Sequence, residues 1–520
     1  MKLIKRWGMR ISLSILLVLV VLLCGCGHDR QTHEQNGKTF ILGDTTFNAE
    51  NSEADINPHH DCGGWACIRY GVGETLFRYT DTMQLEPWLA QRAEQIDPLT
   101  WKITLRDHIT FTSNRPMDSG AVKECLEHLI AVHQRAANDL HIADIGTSGQ
   151  DVIIHTTVPV PSLLHYLADP YSCIIDMKDG ISPQGMVTGT GPYMPVSLQT
   201  GKELRLVKNE TYWNGTPKLD TVIVRTITNG DTLTMALQSG EIDAAYGLPY
   251  ASYPLFQNDA YTISSTPTSR AFFAAMNFAS PIMQDQAVRK AIAMAIDKEG
   301  FVKTLLQGHG YAAAGPFPDT MACGGQTVQA ESYDIEAAKN VLEQAGWVDT
   351  DGDGVREKNG RKLRIRWLTY PSRQELPLLA ESAQASLKKI GIDTEINSTA
   401  NHNVLRQDKT AWDIYASAMV TAPTGDPSYF FTYCCLDSSA ANVGGYHSDR
   451  LEKLAQQMSQ SMDAAQRNTL ASQMSQTILD DQAYVFCSYL QMSLISKAAV
   501  TGLTAHPCDF YEITVDLDKQ

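Results

Sequence analysis

Leu99-Thr100-Trp101-Lys102-Ile103-Thr104-Leu105-Arg106 alternates apolar with polar side chains. Successive side chains of a strand point to opposite faces, so the stretch predicts a half-buried β-strand with Leu99, Trp101, Ile103 and Leu105 inward. Working outward, Val152-Ile153-Ile154 and Val222-Ile223-Val224 are β-branched runs bounded by polar or turn residues, and they predict buried strands. The second half changes period. Val288, Ile292, Ala295 and Ile296 recur at helical spacing with Arg289, Lys290 and Asp297 on other faces, and residues 333–345, 375–390 and 451–479 follow suit. Between these helices, Leu363-Arg364-Ile365-Arg366-Trp367-Leu368 predicts another strand. Strands and helices in both halves argue for α/β lobes rather than a helical array or an all-β sandwich. No internal repeat is visible.

The N-terminus carries Lys2, Lys5, Arg6 and Arg10, then thirteen residues, 11–23, in which only Ser12 and Ser14 are polar. A helix needs about 20 residues to cross a bilayer core, so residues 1–25 read as a signal peptide rather than a permanent span. Leu23-Cys24-Gly25-Cys26 is similar to the lipobox of bacterial lipoproteins, which makes Cys26 the lipidated first residue of the mature chain. Several acyl chains would tether it stably to the membrane, facing the periplasm or the outside. Residues 26–37 read as a flexible stalk. Nearly 500 residues remain, too many for one hydrophobic core, so at least two lobes are expected.

The formal net charge is −16, and the signal peptide holds four positive and no acidic side chains, which puts the mature chain near −20. That balance argues against a nucleic-acid partner. Of eleven cysteines, Cys24 would leave with the signal peptide and Cys26 would be acylated. The nine that remain include at least one unpaired thiol. Cys62 with Cys67 and Cys434 with Cys435 are the pairs close in sequence, and no CxxC supports a zinc ribbon or thioredoxin site.

Pro87-Trp88-Leu89-Ala90 followed by Trp101-Lys102-Ile103-Thr104-Leu105-Arg106-Asp107 and Phe111, then Gly189-Thr190-Gly191-Pro192-Tyr193, Asn209-Glu210-Thr211-Tyr212-Trp213 and Gly240-Glu241-Ile242-Asp243, form an ordered series of motifs. It continues with Met276-Asn277-Phe278, Val288-Arg289-Lys290-Ala291, Ala295-Ile296-Asp297-Lys298 and Leu342-Glu343-Gln344-Ala345-Gly346-Trp347. In this order the chain resembles the family 5 extracellular solute-binding proteins, which serve oligopeptide, dipeptide and nickel importers. The resemblance implies an α/β, two-lobed periplasmic-binding-protein-like fold whose lobes close over ligand by a hinge. Lobe I would span 38–268, lobe II 269–487, and residues 488–520 would return to lobe I. It further implies a monomeric binding protein, not an enzyme, that works with an ABC permease and its ATPase. HExxH and GxSxG, the marks of a rival extracellular hydrolase, do not occur.

Several motifs have plain structural readings. Gly189-Thr190-Gly191-Pro192-Tyr193 reads as a tight turn rather than a phosphate cradle, and Trp213 and Trp347 as packing residues. Asp349-Thr350-Asp351-Gly352-Asp353-Gly354 begins like a calcium loop, but Gly360 stands at the twelfth position, where a glutamate is needed. A solvated hairpin turn is the favoured reading over a weak calcium site at Asp349, Asp351 and Asp353.

The resemblance also bears on the ligand. Peptide-binding members hold the ammonium group with an aspartate just ahead of a Gly-Asp-Pro-like segment. Here Thr421-Ala422-Pro423-Thr424-Gly425-Asp426-Pro427 puts Pro423 in that place. A buried ammonium without a carboxylate is costly, so peptides are disfavoured as ligands. The Ala-Pro pair is similar to the nickel-binding branch, where metal arrives wrapped in a chelator whose carboxylates are held by arginines. Arg135 matches one such position, its alternative being a surface arginine. A second would fall at Pro170-Tyr171-Ser172, where Tyr171 offers no charge, and Thr421 replaces a flanking tryptophan. Arg373 could supply the missing charge. Asn57-Pro58-His59-His60-Asp61-Cys62 adds imidazoles and a thiol suited to nickel, zinc, cobalt or copper, with His59 or His60 as direct ligands or as structural residues. A chelated transition metal is therefore the expected ligand, and an oligopeptide or dipeptide the rival.

Overall fold

The computed structural model describes residues 37–49 and 54–520, so the signal peptide, Cys26 and the stalk through residue 36 lie outside the described residues. Residues 39–520 form one compact unit whose largest sheet has eleven strands. Two long strands run through its middle, Tyr261–Met276 and Tyr484–Lys497, paired antiparallel. Their ladder runs from Tyr261↔Lys497 to Pro267↔Gln491, breaks, and resumes from Ala271↔Tyr489 to Ala275↔Tyr484. Proline has no N–H to give to a ladder, and Pro267 stands where the pairing stops. On one side of the break the sheet continues through Ala244–Tyr246, Thr39–Asp44, Thr221–Thr226, Glu203–Lys208 and Tyr193–Gln199. On the other it continues through Ile414–Val420, Arg364–Thr369 and Asp393–Ser398. The result is two α/β lobes joined by a pair of crossover strands.

A separate four-stranded sheet has the order Ala90–Asp97, Thr100–Leu105, Asp151–Thr156, Ile142–Ser148. Ile103 is fully buried in it, as its alternation predicts, whereas the run Val152-Ile153-Ile154, expected to be buried throughout, buries Val152 and Ile154 and leaves Ile153 half-buried on the other face. Leu99 departs from that expectation and is 39% exposed. It lies one residue ahead of the strand, where its N–H donates to Asp97 Oδ1 at 2.8 Å, so hairpin geometry rather than the pleat sets its direction.

Helix Gln286–Ala295 buries Val288, Ile292 and Ala295 and is capped by Asp285, which accepts from the Ala287 N–H. Arg289, expected on an outer face, is buried: its guanidinium donates to the carbonyls of Asp481 and Met283 and lies 4.6 Å from the Phe278 ring centre. Asp297 falls beyond this helix and caps the next turn through Gly300 N–H at 2.8 Å. The 451–479 stretch divides into Asp449–Gln460 and Ala464–Asp480, because Asp463 starts the second helix by accepting from the Gln466 N–H.

Three of the motifs converge on one side chain. Glu74, 8% exposed, accepts from Trp88 Nε1 at 2.8 Å, Thr190 Oγ1 at 2.8 Å, Tyr212 Oη at 2.7 Å and Trp213 Nε1 at 3.0 Å. Burial raises the Glu74 pKa against the pull of these donors. The Gly189-to-Tyr193 segment packs tightly beside it: a Cβ on Gly191 would meet the Gly71 carbonyl oxygen at 2.3 Å. Close backbone approach, not phosphate binding, explains that glycine. Trp347 is buried and donates to Asp285 Oδ2 at 3.0 Å.

Candidate functional site

A cleft of about 540 Å³ opens beside the crossover strands. One wall comes from the residues entering helix Gly63–Arg69 and from His133 and Arg135 at the start of helix Gln134–Leu140. The other comes from Arg270 and Phe273 on a crossover strand, Tyr370 and Arg373, Arg406, and the pair Tyr429 and Tyr433. Those two tyrosines stack in parallel, with ring centres 5.7 Å apart, a spacing that follows from i,i+4 positions on helix Ser428–Cys434.

Arg135 spans the cleft. Its Nη1 donates to Tyr429 Oη at 3.0 Å, its Nη2 pairs with Asp169, and its Nε lies 3.5 Å from Asp139. The guanidinium also lies 4.4 Å from the Tyr171 ring centre. Burial pushes the Asp139 carboxyl up to about 6 despite Arg135 beside it. Tyr171 does not line the cleft but donates from its hydroxyl to Asp139 at 3.1 Å. Arg373 lines the cleft and also a second cavity of about 460 Å³, and its Nη1 donates to Tyr246 Oη at 2.9 Å. Thr421 and Pro423 are buried and do not line the cleft. The Thr421 hydroxyl is directed to the carbonyls of Ser269 and Pro316, at 2.9 and 2.6 Å.

The adjacent histidines separate. His59 is buried, with its Nδ1 2.7 Å from His128 Nδ1 and its Nε2 3.6 Å from Cys125 Sγ. Burial, then the neighbouring His128 and His133, depress its pKa to about 3. The ring stays neutral, but both its nitrogens already face partners. His60 is exposed, and a hydrogen bond to Asp55 at 2.8 Å raises its pKa, which favours the protonated form that cannot ligate metal.

Asp426, in the Gly-Asp-Pro segment, ties distant parts of the chain together. It pairs with Arg467 Nη2 at 2.6 Å and accepts from Ser162 Oγ at 2.6 Å, while Arg467 Nη2 reaches Ser162 Oγ at 2.8 Å. Burial alone would raise the Asp426 pKa, but Arg467 and the two serines Ser162 and Ser428 hold it below the usual value. His165 Nδ1 lies 2.8 Å from the Thr424 carbonyl in the same region.

At the calcium-like turn, Lys362 Nζ donates to Asp351 at 2.8 Å and to Asp353, and Asp349 accepts from the N–H groups of Gly352 and Gly354. A lysine and backbone donors meet these exposed carboxylates, whose oxygens also lie within 4.8 Å of one another. The nine cysteines of the described residues are all free thiols, so neither Cys62 with Cys67 nor Cys434 with Cys435 is bridged. No helix among the described residues is long and apolar enough to cross a membrane.

Sequence reasoning found Arg135, Arg373, His59 and His60, all of which line the cleft. It missed Arg270, Arg406, Tyr429 and Tyr433. Their segments carry no motif, and only the folding of three separate stretches brings them together.

Crossover strands, a cleft between α/β lobes and a wall of arginines and tyrosines define a ligand-binding protein of the two-lobed class. Residues 84–442 match the bacterial extracellular solute-binding proteins, family 5, and the chain belongs to that family, the solute-binding proteins of ABC importers. The nickel-binding protein NikA of Staphylococcus aureus is 25% identical over 447 residues, covering 86% of this chain and 89% of that protein. A nickel-binding periplasmic protein of Escherichia coli is 26% identical, covering 87% and 90%. The oligopeptide-binding protein AppA of Bacillus subtilis is 26% identical, covering 65% and 64%. The solved structure of S. aureus NikA in complex with Ni(L-His)2 superposes with a TM-score of 0.84 at 24% identity, covering 93% of this chain and 100% of that one.

Proposed function

We propose that the chain captures a transition metal, nickel or one similar, already wrapped in a carboxylate-bearing chelator and delivers it to an ABC permease. The observation that carries this reading is the cleft lining, to which Arg135, Arg270, Arg373 and Arg406 all contribute. Guanidinium suits carboxylate in bidentate geometry, and stacked tyrosines suit a flat chelate. Two relatives named for nickel binding support the reading. A relative named for oligopeptides keeps peptide uptake as the rival. The metal's coordination sphere would be filled by the chelator, since His59 and His60 are engaged with other partners.

In this reading the lobes divide at the broken ladder, 38–268 against 269–487, with 488–520 returning to the first. The monomer is exported and tethered through Cys26. Calorimetry at pH 7 tests the ligand: nickel–histidine complex should bind tightly, free nickel and dipeptides weakly. Micromolar or tighter binding of a dipeptide, with none of the nickel complex, would replace this reading with the peptide one. For the anchor, Cys26→Ser should abolish acyl labelling and membrane retention.

A further inference from the structure

We infer that Arg406 is the anchor for the ligand's carboxylate, a role that rests on the chelate reading and makes this residue its specificity determinant. The other cleft arginines already have partners within the protein. Arg135 faces Asp169, Asp139 and Tyr429. Arg270 pairs with Asp509, and Arg373 donates to Tyr246 and lies in the field of Asp509. Arg406 alone among them makes no ion pair with any described residue, and its Nε, like the Nε and Nη2 of Arg135, is buried without a hydrogen-bond acceptor. A buried donor of this kind is rare in folded proteins and calls for an acceptor. A carboxylate entering the cleft would provide one, and a charge-assisted bond to it is stronger than a neutral one.

The surroundings fit that role. The Arg406 guanidinium lies 5.8 Å from the Tyr415 ring centre. Across the cleft the Arg135 guanidinium lies 4.9 Å from the Tyr429 ring centre, Tyr433 stacks on that ring, and Arg406 lines the same cavity as both tyrosines. Two cationic groups thus face the same pair of tyrosines from opposite walls, and of the cleft arginines only Arg406 lacks a carboxylate partner among the described residues, its side chain being hydrogen-bonded to Tyr415. Its main chain is fixed at both ends: the Arg406 N–H donates to the His402 carbonyl at 2.8 Å, and its own carbonyl accepts from Trp412 Nε1 at 3.1 Å. An arginine held on a rigid turn presents its fork at lower entropic cost than one on a mobile loop.

The test compares nickel–histidine with nickel–histidinamide, which lacks the carboxylate, on the wild type and on Arg406→Gln and Arg406→Lys, by calorimetry at pH 7. Arg406→Gln should weaken nickel–histidine binding tenfold to a hundredfold and leave nickel–histidinamide unchanged, with Arg406→Lys intermediate. A loss under twofold, or an equal loss for both complexes, would overturn the assignment. If the wild type binds peptides and no nickel complex, the chelate reading fails on its own. The same variants against a free-acid peptide and its C-terminal amide then decide the anchor. A drop confined to the free acid supports it, and an equal drop refutes it.

Discussion

Glu74 shows what the family motifs are for. A buried carboxylate with four side-chain donors, and no ion pair among the described residues, joins Trp88, Thr190, Tyr212 and Trp213. Glu74→Ala would strand those donors, and we expect a loss of roughly 3 kcal/mol or more in urea unfolding. Glu74→Gln, which keeps one acceptor oxygen, should cost less. His506 carries a pH dependence. It is buried, its Nδ1 accepts from the Cys508 N–H at 3.2 Å, and burial holds its pKa down to about 4. The unfolded ring takes up its proton near 6.5, so between the two values unfolding binds more protons. Stability is complete above 6.5 and falls as the pH drops through that window, by about 2 kcal/mol at pH 5. His506→Asn should remove that part of the difference between urea titrations at pH 7 and pH 5. Neither residue was legible as important in the sequence. Trp88 and Trp213 were visible as motif members, but their shared partner lies 14 and 139 positions away, a distance that no local pattern spans.

The elements that were legible each have one clear period. The strand at Thr100–Leu105 and the helix at Gln286–Ala295 followed from alternation and helical spacing. The misreadings came at ends and breaks. Residues 451–479 keep an apolar rhythm across the gap, but Asp463 offers its carboxylate to the Gln466 N–H at 2.7 Å and starts a new helix. Asp463→Ala should cost about 1 kcal/mol of stability, measurable by thermal or urea unfolding. Arg289 was misplaced for a related reason. Periodicity assigns a long cation to the solvent face, whereas this one finds two carbonyl acceptors and an aromatic ring inside. At the candidate site, Arg135 was legible through family position, and Arg406 was not, since nothing in His402-Asn403-Val404-Leu405-Arg406 marks a binding residue.

For the whole molecule, the crossover strands and the polar links across the cleft belong to one device. Arg135 with Tyr429, and Ser162 with Asp426 and Arg467, tie residues before the ladder break to residues after it. A ligand that bridges the same walls would favour this closed arrangement. Small-angle scattering should therefore show a smaller radius of gyration with ligand than without, and Ser162→Ala should weaken ligand binding without a change at the cleft itself. An unchanged radius would mean a rigid pocket.

The central claim, that the cleft holds a chelated metal, is tested most directly by anomalous diffraction at the nickel edge from crystals grown with nickel and histidine. The account predicts one strong peak within the cleft, between the wall bearing Arg135 and the wall bearing Arg406, with the chelator's carboxylate on Arg406. A cleft without nickel, or one occupied by peptide, would contradict it.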